Sequence, residues 1–263
     1  MADVYRVDVL GVAISAIDIE EAVQTILGWV ADDQHKYVCV TGVHGVMECQ
    51  KNAKLLDIHN RSGLTTPDGM PMVWAGRLAG ARTMRRVYGP DLMLAVCEAA
   101  QLNGISMFFF GTTETTLHEL VTRLQARFPG LAVAGVCAPP FRETTVDEDE
   151  AIVDVINASG ADIVWVGLST PKQELWMADH LDRLHAKALI GVGAAFDIHA
   201  GHLAQAPSWM RRSGLEWLFR LSREPRRLWR RYLTNNPAFL RAIVRSPPRL
   251  IRGPPDYRVP PQT

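Results

Sequence analysis

Long apolar runs are missing from this chain. None reaches the 18 or more residues that a membrane-spanning helix requires, so no such helix is expected. The opening stretch, MADVYRVDVLGVAISAIDIEEA, has acids inside its apolar segment and no basic leader, so it does not read as a signal peptide. Cysteine is scarce. Cys39, Cys49, Cys97 and Cys137 are scattered without CxxC spacing, and three sit in or beside apolar runs. They read as free, mostly buried thiols of a reducing compartment rather than zinc ligands or disulfides. Gly-x-Ser-x-Gly is absent, which argues against hydrolase nucleophile machinery. Gly191-x-Gly193 has no third glycine and no acid some 20 positions later, so the dinucleotide fingerprint is incomplete.

Net charge is also absent, but only in total. The 263 residues hold 28 basic and 28 acidic side chains. From Arg211 to Arg252 there are 12 arginines, no lysine and two acids (Glu216, Glu224), leaving residues 1–210 at about −10. An acidic body with a basic tail suggests an anionic partner for the tail.

What is present is alternation. Apolar, β-rich runs at Tyr37–Thr41, Leu64–Thr66, Met107–Gly111, Leu131–Cys137, Asp162–Gly167 and Ala188–Gly193 predict strands buried on both faces. Helical patterns lie around them, roughly at Ile19–Asp32, Val43–Asn60, Asp91–Asn103, Glu114–Phe128, Asp147–Ser159 and Lys172–Leu184. The expected class is α/β: a Rossmann-like, mostly parallel sheet flanked by helices, with a basic C-terminal helical appendage. Three segments follow: an α/β catalytic domain over 1–205, the basic appendage over 206–248, and a Pro-rich disordered tail over 249–263.

In such sheets ligands bind at the carboxyl ends of strands. Glycines fall there at Gly42, Gly111, Gly167 and Gly193. Thr66-Pro67-Asp68-Gly69-Met70-Pro71 puts Asp68 on a tight turn after a strand. A carboxylate there can act as a general base, or cap the helix that starts near Met72. Gly167-Leu168-Ser169-Thr170-Pro171-Lys172-Gln173-Glu174 runs from strand to helix start, where backbone N–H groups, Lys172 and Gln173 could meet phosphate, ribose or sugar. Gly191-Val192-Gly193-Ala194-Ala195-Phe196-Asp197 allows close backbone approach. Asp197 with His199 and His202 invites a metal reading, but such pairs are more often structural, and no metal or other cofactor is expected. Asp147-Glu148-Asp149 matches the Asp-x-Asp of metal-dependent sugar transferases, yet it lies in an acidic helix start and reads as a solvated first turn. In the tail, arginines interleave with Trp217, Phe219, Trp229 and Tyr232. This pattern fits contact with a membrane interface or a diphosphate, or a seam docking the tail onto the body with its arginines solvated. Nucleic acid is not expected, given the acidic body.

Together, TPDGMPMVWAGRLAG with RVYGPDLM, FFFGTTE, ADIVWVGLSTPKQELWM and LIGVGAAFDIHAGHLAQAPSWMRRSGLEWLFRLSREPRRLWRRYL resemble the WecG/TagA/CpsF glycosyltransferase family, from about Tyr37 to Tyr232. The resemblance implies inverting transfer of N-acetylmannosamine, its uronic acid, glucose or a similar sugar from a UDP-sugar donor. The implied acceptor is an undecaprenyl-diphosphate-linked sugar, in polysaccharide or wall-polymer synthesis. It also implies a cytoplasmic protein held peripherally at the inner face of the plasma membrane, and it leaves homo-oligomerisation open. Carried over, the general base falls on Asp68, the donor-site threonine on Thr41 and the motif glutamine on Gln173. The C-terminal arginines fall on Arg220, Arg227 and Arg230. Many members carry an asparagine two residues after the threonine; this chain reads Thr41-Gly42-Val43-His44, and His44 is the candidate in its place. The competing readings are a nucleotide-binding oxidoreductase and a non-catalytic, membrane-associated scaffold that binds nucleotide sugar.

Overall fold

The computed structural model describes residues 5–252. The chain opens with strands β1 (Tyr5–Val9) and β2 (Val12–Ser15), then α1 (Ile19–Ala31), β3 (Lys36–Thr41), α2 (Val43–Cys49), α3 (Ala53–Arg61), β4 (Leu64–Pro67) and α4 (Met70–Leu78). It continues with α5 (Gly89–Asn103), β5 (Ser106–Gly111), α6 (Glu114–Arg127), β6 (Ala132–Cys137), α7 (Val146–Ala158), β7 (Ile163–Gly167) and α8 (Lys172–His180). After β8 (Ala188–Gly191) come α9 (Ala195–Ala200), α10 (Ser208–Arg212), α11 (Glu216–Arg223), α12 (Pro225–Arg245) and β9 (Arg249–Arg252).

All six expected strands form one sheet in the order β4-β3-β8-β7-β5-β6, with every neighbouring pair parallel. A parallel sheet needs both faces covered, which is why its strands read as apolar runs. Ile163, Val164, Trp165 and Val166 of β7 are wholly buried. One face packs on α1, α5, α6 and α9; the other packs on α3, α7 and α8. The fold class is therefore the α/β Rossmann-like arrangement expected from the sequence.

Several expectations change. The helix read as Val43–Asn60 is two helices, because Asn52 adopts extended backbone and its side chain accepts from the Leu55 N–H at 3.1 Å. Asparagine competes with helical bonding in this way and favours caps over helix interiors. The hairpin β1–β2, unread in the sequence, turns at Leu10-Gly11 and joins β9 in a second, antiparallel sheet of order β2-β1-β9. The tail expected to be disordered from 249 is thus a paired strand over Arg249–Arg252; the rest of that tail, 253–263, lies outside the described residues. This second sheet has its own core, where Val7, Val9, Val12 and Ile14 meet Val46, Met72 and Phe239.

Phe239 fastens α12 into that core, being only 4 % exposed on a helix that otherwise presents much of its surface to water. Phe239→Ala should cost about 3–5 kcal/mol by removing the buried ring and leaving a cavity. Urea unfolding of both proteins at one pH checks this.

Candidate active site

A cleft of about 680 Å³ lies over the carboxyl ends of β4, β3, β8 and β7, roofed by α4, α11 and α12. Its floor is made by strand-end loops. Asp68 follows β4, where its N–H donates to the Thr41 carbonyl at 3.0 Å and so locks the ends of β3 and β4 together. Gly42 sits against it, and a β-carbon at residue 42 would come within 2.9 Å of the Asp68 carbonyl oxygen. Gly69, at φ 87°, is the N-cap of α4 and turns the chain away at once; such a backbone favours glycine. Asp68 therefore does not cap the helix. Its carboxylate stands over the cleft.

Burial pushes the Asp68 carboxyl up from the ordinary 3.8 to about 6, with Arg86 and Arg220 pulling down and Glu216 and Asp91 pushing up. No hydrogen bond contributes to that balance. Two ion pairs frame it. Arg86 binds Glu216 at 2.6 Å and lies over the Tyr88 ring at 4.0 Å; Arg211 binds Asp91 at 3.1 Å. They tie the C-terminal helices to the segment before α5 and to the first turn of α5.

Arg220, Arg227 and Arg231 line the cleft together. Arg231 has its charge disfavoured first by burial and then by Arg220 and Arg227, so the three guanidiniums repel one another. Burial also works against Arg220, but Tyr232, Tyr88, Asp68 and Glu216 around it leave it more firmly charged than usual. Arg227 additionally pairs with Glu224. Converging cations of this kind make a site for a multivalent anion.

His44 lines the cleft beside them, with its Nδ1 3.2 Å from the Asn235 amide nitrogen. Burial, then Arg231, push its pKa down to about 4, so it is a neutral imidazole at physiological pH. Gln173 also lines the cleft, but most of its amide is already used: Oε1 accepts from the Gly193 N–H at 3.0 Å and Nε2 donates to Glu174 at 3.1 Å. Gly69, Gly193 and Asp197 complete the expected residues that reach the cleft; burial raises the Asp197 carboxyl.

The other candidates sit elsewhere. Thr41 is buried, its hydroxyl on the Cys39 carbonyl at 3.3 Å. Gly111 and Gly167 meet backbone to backbone at the ends of β5 and β7, where a β-carbon on Gly111 would lie 2.7 Å from Gly167. Lys172 begins α8 exposed to solvent, outside the cleft lining. Arg230 is exposed over its own neighbour Trp229; Arg231 takes the place in the cleft expected for it. Of the residues behind the metal reading, His199 bonds the Pro90 carbonyl and His202 pairs with Glu119. The Asp147-Glu148-Asp149 run is more engaged than a solvated turn. Glu148 completes a capping box with Thr145, and Asp149 binds His180 at 2.9 Å and Arg183 at 2.6 Å. Glu216, Arg211 and Asn235 are lining residues that the sequence did not single out, although Arg227, Arg231 and Asn235 recur at every fourth position of one helix.

The raised Asp68 pKa has a stability consequence. Between pH 3.8 and about 6 the native state holds a proton that the unfolded chain has released, so stability falls as pH rises through that window and stays lower above it. Asp68→Asn should therefore melt at higher temperature than wild type at pH 7.5, with the gap closing below pH 4. Thermal unfolding across a pH series reads this directly.

The profile of the glycosyl transferase WecG/TagA/CpsF family matches residues 7–252, a longer reach than the motif blocks alone. The N-acetylglucosaminyldiphosphoundecaprenol N-acetyl-beta-D-mannosaminyltransferase of Bacillus spizizenii is 29 % identical over 198 residues, covering 75 % of this chain and 74 % of its own. The protein of the same name from Bacillus subtilis is 28 % identical over 184 residues, 70 % of each chain. That of Staphylococcus aureus (strain MW2) is 25 % identical over 244 residues, 92 % of this chain and 93 % of its own. With a family profile spanning nearly every described residue, the chain belongs to the WecG/TagA/CpsF family and is a glycosyltransferase.

Proposed function

We propose that the protein moves a sugar from a UDP-sugar onto a hydroxyl of an undecaprenyl-diphosphate-linked acceptor, with inversion, in the making of a polysaccharide or wall polymer. The observation that carries this reading is the pairing of an unbonded, desolvated carboxylate with three converging guanidiniums in one cleft. The relatives' names specify an N-acetylmannosamine unit added to an N-acetylglucosaminyl diphosphoundecaprenol. Those two ligand classes are the first to offer this chain.

The chemistry follows from the geometry. Asp68 takes the proton from the acceptor hydroxyl as that oxygen attacks the anomeric carbon. The bond from that carbon to the diphosphate oxygen breaks, and UDP departs with the electron pair. A carboxylate of pKa about 6 is ionised at neutral pH, yet is a stronger base than a solvated aspartate. Charge grows on the departing diphosphate, and Arg220, the guanidinium that also acts on Asp68, supplies fixed positive charge where it grows. His44, neutral and held from α12, offers a ring nitrogen to a sugar or phosphate without adding charge. The exposed Trp209, Trp229 and Leu233, set among arginines, are the surface we assign to the bilayer that carries the acceptor. Among the described residues no helix is long and apolar enough to cross a membrane.

Two outcomes are expected from UDP release assayed over a panel of UDP-sugars, with and without a short-chain diphosphate-linked N-acetylglucosamine. Release should require the acceptor and fall by about 10²–10⁴ in Asp68→Ala. In the wild type, kcat/KM should climb with pH through about 6 and level above it, as Asp68 ionises. Undiminished release in Asp68→Ala would sink the assignment of the base.

A further inference from the structure

The cleft changes character along its length, and one helix shows the change. Arg227 and Arg231 lie on the first half of α12, and Leu240 and Ile243 on the second; all four line the same cleft. Arg231 and Leu240 are separated by about 13 Å along the helix axis at 1.5 Å per residue. Helix α4 gives Trp74 and Leu78, one turn apart, to the lining of the same cleft, and its Ala75 shares the second core with Phe239 of α12.

Ile243 packs against the core that holds α12 to the body, but Trp74, Leu78 and Leu240 do not. The core of the second sheet takes Met72 from α4 and Phe239 from α12, both buried. Trp74, Leu78 and Leu240 are left 49 %, 70 % and 63 % exposed. Apolar side chains exposed on both walls of one cleft, rimmed by charge, mark a site for something apolar. Arg227 and Arg231, at the other end of the same helix, indicate its head group. A ligand that fits the sequence of surfaces has a diphosphate first and a hydrocarbon chain after it.

We infer that the α4–α12 end of the cleft seats the first isoprene units of a polyprenyl diphosphate, ordering the chain as it leaves the diphosphate. This rests on the proposed lipid-linked acceptor and adds a chain-binding subsite to it.

The test is calorimetric binding of a series of isoprenyl diphosphates of increasing length to the full chain. Each ligand is kept below its critical micelle concentration and no membrane is present. Affinity should rise about tenfold for each added isoprene unit until the groove is filled, then level, since a fully buried methylene is worth about fourfold and this groove leaves part of the chain wet. Leu78→Gln with Leu240→Gln should flatten that rise. Leu102→Gln, an exposed leucine of α5 outside the cleft, should leave it unchanged. Affinity independent of chain length in the wild type, or a rise that survives the double substitution, would overturn the proposal. So would a rise seen only when vesicles are added, which would assign the chain to the bilayer surface. Turnover plays no part in this readout. A length-dependent affinity without UDP release refutes the transferase reading alone, whereas transfer with a flat series refutes the groove alone.

Discussion

The site depends on one docking event, the return of α12 onto the body. A parallel sheet with glycine-rich strand ends supplies a floor and a carboxylate, but no cationic wall. The wall comes from the far end of the chain. It is held by Phe239 in the second core, by Asn235 on His44, and by β9 added to the edge of β1. These anchors lie on the second half of α12 and beyond it, which leaves the first half to carry Arg227 and Arg231 over the strand ends. Pairing β9 with β1 joins residues some 240 positions apart, so the fold closes its site only when nearly the whole chain is in place.

Charge explains why that docking is stable and also why it is useful. The acidic body and the basic tail meet at the cleft, and part of the opposition is neutralised there by Arg86–Glu216 and Arg211–Asp91. Both pairs are partly buried, where attraction is strong but desolvation offsets much of it, so they fix geometry more than they add stability. Neutralisation is incomplete. Arg231 is disfavoured by its own neighbours, and Asp68 is left without a hydrogen bond. These two strained charges are the ones a bound anion and a proton would relieve.

Much of the body was legible because burial on two faces leaves a simple signature: β5, β7 and β8 are unbroken apolar runs, and each was found within a residue or two. Asp68 and Gln173 were legible through their place after a strand. The hairpin β1–β2 was not, since strands of five and four residues with one turn between them give too short a pattern, and the partner that stabilises them is remote in sequence. The choice between Arg230 and Arg231 was equally hidden. Both are neighbours of Arg227 on a helix, at i+3 and i+4, and only the docked rotation of α12 decides which faces inward. That rotation is set by Leu228, Asn235 and Phe239, the buried residues of the helix, a stripe visible only once the partner surface is known.

The same rotation sorts the tail's apolar side chains onto two faces. A docking seam and a membrane-facing surface looked like alternatives while the tail was a string of letters. A helix 21 residues long has room for a buried seam and, on another face, a separate exposed surface. Leu228 and Phe239 are buried, whereas Trp229, Leu233 and Leu240 are left in water. Exposing three large apolar groups has no folding benefit, so the buried face accounts for docking and leaves the exposed one unexplained by stability. An apolar face beside a cationic cleft has a physical rationale if the substrate is itself amphiphilic, because the surface that receives its hydrocarbon must then adjoin the charges that receive its diphosphate.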